Sequence, residues 1–213
     1  DASQIYLFGH SIGTLGAPLL AQELGAAGVI AAQGLGRTWI EYELINTRRQ
    51  IELAGASPAD TDAAMIAKAD CIMRALRLRT PVADLFAEAP HCAQLVGLPA
   101  SQDYMAQLTD FNPGAAWAAL SAPALIIYGA SDFVTDEADH RRIVDIVNAY
   151  QPGQAELVVM PELDHFLVRT PSQQDSFARA GAGQALGPLD TRLSTVIGDW
   201  ICERARCTGA ASI

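Results

Sequence analysis

The sequence predicts an α/β fold: a parallel sheet of about four strands, interrupted by a helical insertion. Three observations carry this. Four apolar runs have strand length, near residues 4–8, 28–32, 124–129 and 155–160, each closed by Gly, Pro or a polar residue. Segments of helical period lie between and after them. Residues 37 to about 117 show helical period and turn signals, with no strand pattern.

The first run, Gln4-Ile5-Tyr6-Leu7-Phe8, ends at Gly9 and reads as a buried strand of a parallel sheet. Ser11 to Leu24 is rich in Ala and Leu and reads as a helix, with an irregularity expected at Pro18. Gly28 to Ala32 is the second strand, broken by Gly34 and Gly36. In the insertion, Trp39–Leu53, Ala59–Leu78 and Pro81–Leu95 read as helices, separated by turns at Gly55–Pro58, Arg79–Pro81 and Gly97–Pro99. Ala124 to Gly129 is the third buried strand, Asp136 to Tyr150 a helix, and Ala155 to Met160 the fourth strand, closed by Pro161. Gly181–Gly187 reads as a loop. Leu189 to Arg206 is an amphipathic helix with Leu193, Val196, Ile197 and Trp200 on one face. The expected domains are a core of residues 1–36 and 118–213 and an insertion of residues 37–117.

The chain has 213 residues, 50% of them hydrophobic and 18% charged, enough to bury a core without crosslinks and too apolar for a disordered segment. The formal net charge of −10 argues against nucleic acid or an anionic membrane surface as the partner. No apolar run approaches the ~20 residues of a membrane span. The four cysteines, Cys71, Cys92, Cys202 and Cys207, have no metal-ligand spacing and leave the redox compartment open. Asp60, Asp62 and Asp70 do not space as a calcium loop, so no metal is expected. The location of the protein is unknown from this sequence.

The chemistry starts at Gly9-His10-Ser11-Ile12-Gly13, a G-x-S-x-G pattern between a strand and a helix. A sharp turn there lifts the Ser11 hydroxyl above the sheet, and side chains at the flanking glycines would collide. A serine needs a base. Of the four histidines, His10 adjoins Ser11 and diverges from it, His91 lies in the insertion and His140 in a helix, whereas His165 follows the fourth strand. The base needs an acid to set its tautomer. Asp132 follows the third strand directly. Asp136 and Asp139 lie where acids cap a helix, and Asp164 reads as a loop hydrogen-bonding residue.

With these motifs the chain resembles the α/β-hydrolase superfamily. Gly9–Gly13 is similar to its nucleophile elbow, Tyr128-Gly129-Ala130-Ser131-Asp132 to its acid turn, and Leu163-Asp164-His165 to its histidine loop, in the Ser, Asp, His order of that fold. Within it the chain resembles bacterial serine carboxylesterases and prolyl-oligopeptidase-like hydrolases with a helical cap. The resemblance implies a C-terminal part of the hydrolase sheet. It implies a small-molecule ester substrate, no cofactor, catalytic Ser11, Asp132 and His165, an oxyanion donor at the Ile12 N–H, and His10 and Trp39 as substrate-pocket candidates. Members carry several strands before the nucleophile strand, so it also implies a missing N-terminal half holding a second oxyanion donor. Thioesterase, peptidase and acyltransferase chemistry stay open, as does a non-catalytic or incomplete hydrolase-fold fragment.

Other features read as structure. Trp200 and Trp117 are expected in the core, Trp117 alternatively at a hinge. Met65, Ile72, Met73 and Leu76 form an apolar helix face, and Arg74, Arg77 and Arg79 a solvated one.

Overall fold

The computed structural model describes residues 4–205. Arg206, expected as the end of the last helix, and Cys207 lie outside the described residues. Four strands, β1 (Tyr6–His10), β2 (Gly28–Ala32), β3 (Ala124–Gly129) and β4 (Ala155–Met160), form one sheet in that order. Every pairing is parallel. The fold class is therefore the α/β fold expected from the sequence.

Alternate residues of each central strand face opposite ways. Val29, Ala31, Ala124 and Ile126 pack with Ala17 and Ala21 of α1 (Gly13–Leu24) and Ile143 and Val147 of α8 (Glu137–Tyr150). Ile30, Ala32, Leu125 and Ile127 pack with Leu193 and Trp200 of α10 (Thr191–Ala205). Trp117 is fully buried in the first of these clusters, and Trp200 in the second has its indole N–H on Glu156, 2.5 Å away. Both are core residues, as expected.

Two strand expectations need correction. β1 lies two residues later than the apolar run, because the ladder with β2 pairs Tyr6 with Gly28 and runs through Gly9 to His10. β1, expected to be fully buried, is not, because among the described residues it has a neighbour on one side only, as has β4. Phe8 is 48% exposed and Val159 40%, whereas β2 and β3 are wholly buried.

The chain forms two compact units. One takes residues up to Gly36 and from Gly114 onward; the other is Arg37–Pro113. The second unit holds α2 (Trp39–Leu53), α3 (Pro58–Ile72), α4 (Val82–Glu88), α5 (Cys92–Leu95) and α6 (Gln102–Asp110), and α7 (Pro113–Ala119) follows it. Caps explain several starts. The Thr38 N–H donates to Glu41 ahead of α2, and Ser57 and Ser101 accept from Asp60 N–H and Tyr104 N–H in α3 and α6. The helix expected over Ala59–Leu78 changes to a π turn at Met73–Arg77. The one expected over Pro81–Leu95 is two helices. Pro90 disfavours helical geometry at Ala89, whose φ −130° and ψ 79° end α4.

Cys71 in α3 and Cys92 in α5 form a disulfide that no sequence spacing announced. His91 offers a third donor within 4.8 Å, but the two sulfurs are bonded to each other. Ile72 and Leu76 are buried as expected of an apolar face, whereas Met73, at the start of the π turn, is 41% exposed. Met65 lines an open groove of about 690 Å³ together with Leu44, Ile45 and Ile66 of α2 and α3. The basic run is paired: Arg74 with Asp70 and Glu88, and Arg77 and Arg79 both with Asp110.

Candidate active site

Ser11 stands one residue past β1 with φ 53°, in the left-handed region. Its N–H donates to the Ala32 carbonyl at 3.0 Å, and its own carbonyl accepts from the N–H and hydroxyl of buried Thr14, at 3.0 and 2.7 Å. Gly9 is required here: a Cβ would lie 2.8 Å from the Gly13 carbonyl oxygen and 3.1 Å from the Ala17 Cβ. Gly13 is not, since a Cβ there meets nothing within 4 Å. The expectation that both flanking glycines relieve crowding is corrected at Gly13, which already lies on the outside of the first turn of α1.

Asp132 lies in the turn after β3, fully buried. Oδ1 accepts from the N–H groups of Val134 and Thr135, at 2.6 and 3.0 Å. Oδ2 accepts from the Thr135 hydroxyl at 2.5 Å and from His165 Nδ1 at 3.0 Å. Burial works against its charge, but the bond from His165, the charge of that ring and the Thr135 bonds outweigh it, leaving the carboxyl below its usual range. An acid so placed fixes His165 with its proton on Nδ1 and turns Nε2 outward as an acceptor. Nε2 lies 3.1 Å from the Ser11 hydroxyl oxygen. Ser11, His165 and Asp132 thus form one hydrogen-bonded chain across 154 positions of sequence.

The loop carrying His165 is built around Asp164, as its sequence position suggested. This buried carboxylate accepts from the N–H groups of Phe166 and Val168, from the hydroxyls of Thr170 and Ser176, and from the Arg179 guanidinium of α9 (Gln173–Gly181). The loop is also stitched to the acid turn, where the Ser131 N–H donates to the Leu163 carbonyl and the Ser131 hydroxyl to the Thr170 carbonyl.

The remaining candidates have these places. Ile12 precedes α1, and its N–H stands at the amino end of that helix, where the dipole favours negative charge. His10 is half-buried with its Nε2 on the His165 carbonyl oxygen, 2.7 Å away. Trp39 opens α2 in the helical unit, buried, with its ring centroid 5.1 Å from that of Tyr42. Asp136 caps α8 by accepting from the Asp139 N–H at 2.7 Å.

Sequence reasoning missed Gln33 and His140. Gln33, with φ 51°, is fully buried just past β2. Its amide accepts from the Gly129 N–H at 2.9 Å and donates to the Asp164 carbonyl at 2.8 Å, bridging the acid turn and the base loop. His140, wholly buried in α8, donates from Nδ1 to the Asp136 carbonyl and accepts the Gly34 N–H on Nε2. The one available signal was a lone amide between an apolar strand and two glycines.

Comparison with known proteins adds the family. A model described as "Alpha/beta hydrolase family" matches residues 1–180. No curated protein matches the sequence. Among solved structures, a thermophilic esterase from Thermogutta terrifontis is similar at 17% identity and a TM-score of 0.46, over 94% of this chain and 65% of its own. A monoacylglycerol lipase from Paleococcus ferrophilus gives 19% and 0.46, over 93% and 68%. An acylaminoacyl peptidase from Pyrococcus horikoshii gives 9% and 0.48, over 100% and 26%. The chain thus spans about two thirds of the length of the first two and about a quarter of the third. With a family model covering residues 1–180 of its 213, the chain belongs to the alpha/beta hydrolase family.

Proposed function

We propose that this protein is a serine hydrolase acting on carboxylic esters of small molecules. The observation that carries the reading is the hydrogen-bonded chain from the Ser11 hydroxyl through His165 to buried Asp132. Ser11 Oγ attacks the acyl carbon while His165 Nε2 takes its proton. Negative charge gathers on the carbonyl oxygen, towards which the Ile12 N–H and the α1 dipole contribute. His165 returns the proton to the leaving alkoxide as the acyl–oxygen bond breaks. Water, deprotonated by the same nitrogen, then attacks the acyl-enzyme, and the acyl–Oγ bond breaks as His165 returns that proton to Ser11, releasing the acid. Asp132 holds the Nδ1–H tautomer and balances the imidazolium of both half-reactions.

A fluorophosphonate probe tests the activated serine. It is expected to label Ser11 in the intact protein and to leave Ser11→Ala and His165→Ala unlabelled. A folded wild-type protein that takes no label overturns the reading. Rates on p-nitrophenyl esters, acyl thioesters and peptide amides then read the leaving group, with esters expected fastest.

A further inference from the structure

Two consecutive carbonyls of the base loop are held by side chains from the ends of two different strands. The Asp164 carbonyl accepts from Gln33, just past β2, at 2.8 Å. The His165 carbonyl accepts from His10 Nε2, the last residue of β1, at 2.7 Å. The bond requires the His10 tautomer with its proton on Nε2. The two imidazole rings lie 5.2 Å apart between centroids, and Phe166 meets the His165 ring edge-on from 5.7 Å. His10 is therefore covalently next to Ser11 and hydrogen-bonded to the backbone of His165.

We propose that His10 is a positioning residue, tethering the backbone of His165 to the nucleophile turn so that the His165 ring keeps its place between Asp132 and Ser11. This rests on the proposed triad and deepens it. A ring pivoting on its own Cα needs its backbone fixed as well as its Nδ1. His165 lies in a loop with residues of positive φ close on either side, Glu162 at 60° and Leu167 at 60°. Gln33 fixes one peptide of that loop and His10 the next, so each rotation of the 164–165 segment breaks a bond at one of two strand ends. A displacement of about 1 Å at a reacting group can cost on the order of 10²-fold in rate. Burial draws the His10 pKa down, the bond to the His165 carbonyl works upward, and the charge of His165 again downward; the net is a lowered value. The lowered value favours the uncharged ring beside the imidazolium.

The test compares His10→Phe, which keeps a ring and loses the donor, with His10→Gln, whose amide nitrogen can reach the place of Nε2. With a p-nitrophenyl ester, His10→Phe is expected to lower kcat about 10- to 100-fold with KM within about twofold. His10→Gln is expected to recover most of the loss. A change confined to KM would overturn the proposal in favour of a substrate-pocket role, and an unchanged kcat in folded His10→Phe would overturn it outright. A readout independent of turnover is the downfield proton resonance of His165 Nδ1–H. It is expected to be sharp in the wild type and His10→Gln, and exchange-broadened in His10→Phe. A resonance equally sharp in all three refutes the tether. Failure of the triad reading shows elsewhere, as a wild type that takes no fluorophosphonate, so the two failures are distinguishable.

Discussion

Ser11 has a backbone conformation that costs a non-glycine residue of order 1 kcal/mol or more, and three groups hold it there. Ala32 takes its N–H, Thr14 takes its carbonyl, and Gly9 leaves the space into which the turn closes. This separates the two glycines of the motif. Gly9→Ala puts a methyl against backbone that cannot withdraw, and is expected to destabilise by about 1–3 kcal/mol and to depress activity. Gly13→Ala meets open space in a helix and is expected to be neutral or stabilising by up to about 1 kcal/mol. Urea midpoints of the two variants check this, and equal losses would show that the turn depends on something other than packing at Gly9. Asp132→Asn keeps the shape of the acid but lets the His165 ring take the other tautomer. Activity is expected to fall on the order of 10⁴-fold, with stability changed far less. Ser11, Asp132 and His165 were legible as candidates because each lies in the turn or loop that follows a recognisable strand, Ser11 inside a G-x-S-x-G pattern as well. Gln33 was not, because the partners of its amide lie 96 and 131 positions away, and no local pattern encodes a bridge of that length.

Elements were legible where a pattern is local. β2, β3 and β4 and the helix Trp39–Leu53 fall on the residues expected, because β2 and β3 are apolar on both faces and Thr38 and Glu41 cap the start of α2. α9 was not read, although Ser172 accepts from the Asp175 N–H at its start, because a nine-residue helix gives too few turns for a period to stand out. The helical unit is where the largest unread feature lies. The Cys71–Cys92 disulfide closes a loop with a sequence separation of 21, and both residues are fully buried. Closing a loop of this length removes chain entropy from the unfolded state worth about 3 kcal/mol. Replacing both cysteines by Ser is therefore expected to lower the unfolding free energy by about that amount. Prior reduction with a dithiol should do the same to the wild type and nothing to the double variant. An equal shift of the urea midpoint in both would mean that the reductant acts elsewhere.

At the scale of the whole molecule, polar bridges at the carboxyl ends of the strands tie the core unit together, and three groups in them, His10, His140 and Asp132, have pKa values below their ordinary ones. His140 is wholly buried, and burial is the largest influence on its ring, driving the pKa below the ordinary 6.5 against bonds and charges that work upward. It accepts the Gly34 N–H on Nε2, so protonation also removes a bond between α8 and the end of β2. The unfolded chain takes up this proton as pH falls through 6.5, and the folded protein only at lower pH. Stability is therefore full above about pH 6.5 and declines below it, until the folded ring also protonates. Asp132 acts in a separate window. Its folded pKa lies below the ordinary 3.8, so its contribution holds above 3.8 and is lost as pH falls through the lowered value. Stability should accordingly begin to decline near pH 6.5, well before carboxylates titrate. His140→Gln can keep one donor and one acceptor without a titrating ring, so it is expected to flatten the slope of unfolding free energy between about pH 6.5 and 5. The change is at most one proton's worth, about 1.4 kcal/mol per pH unit. Urea titrations at half-unit pH steps measure it. If the variant keeps the wild-type slope, the protons behind this decline bind somewhere other than His140.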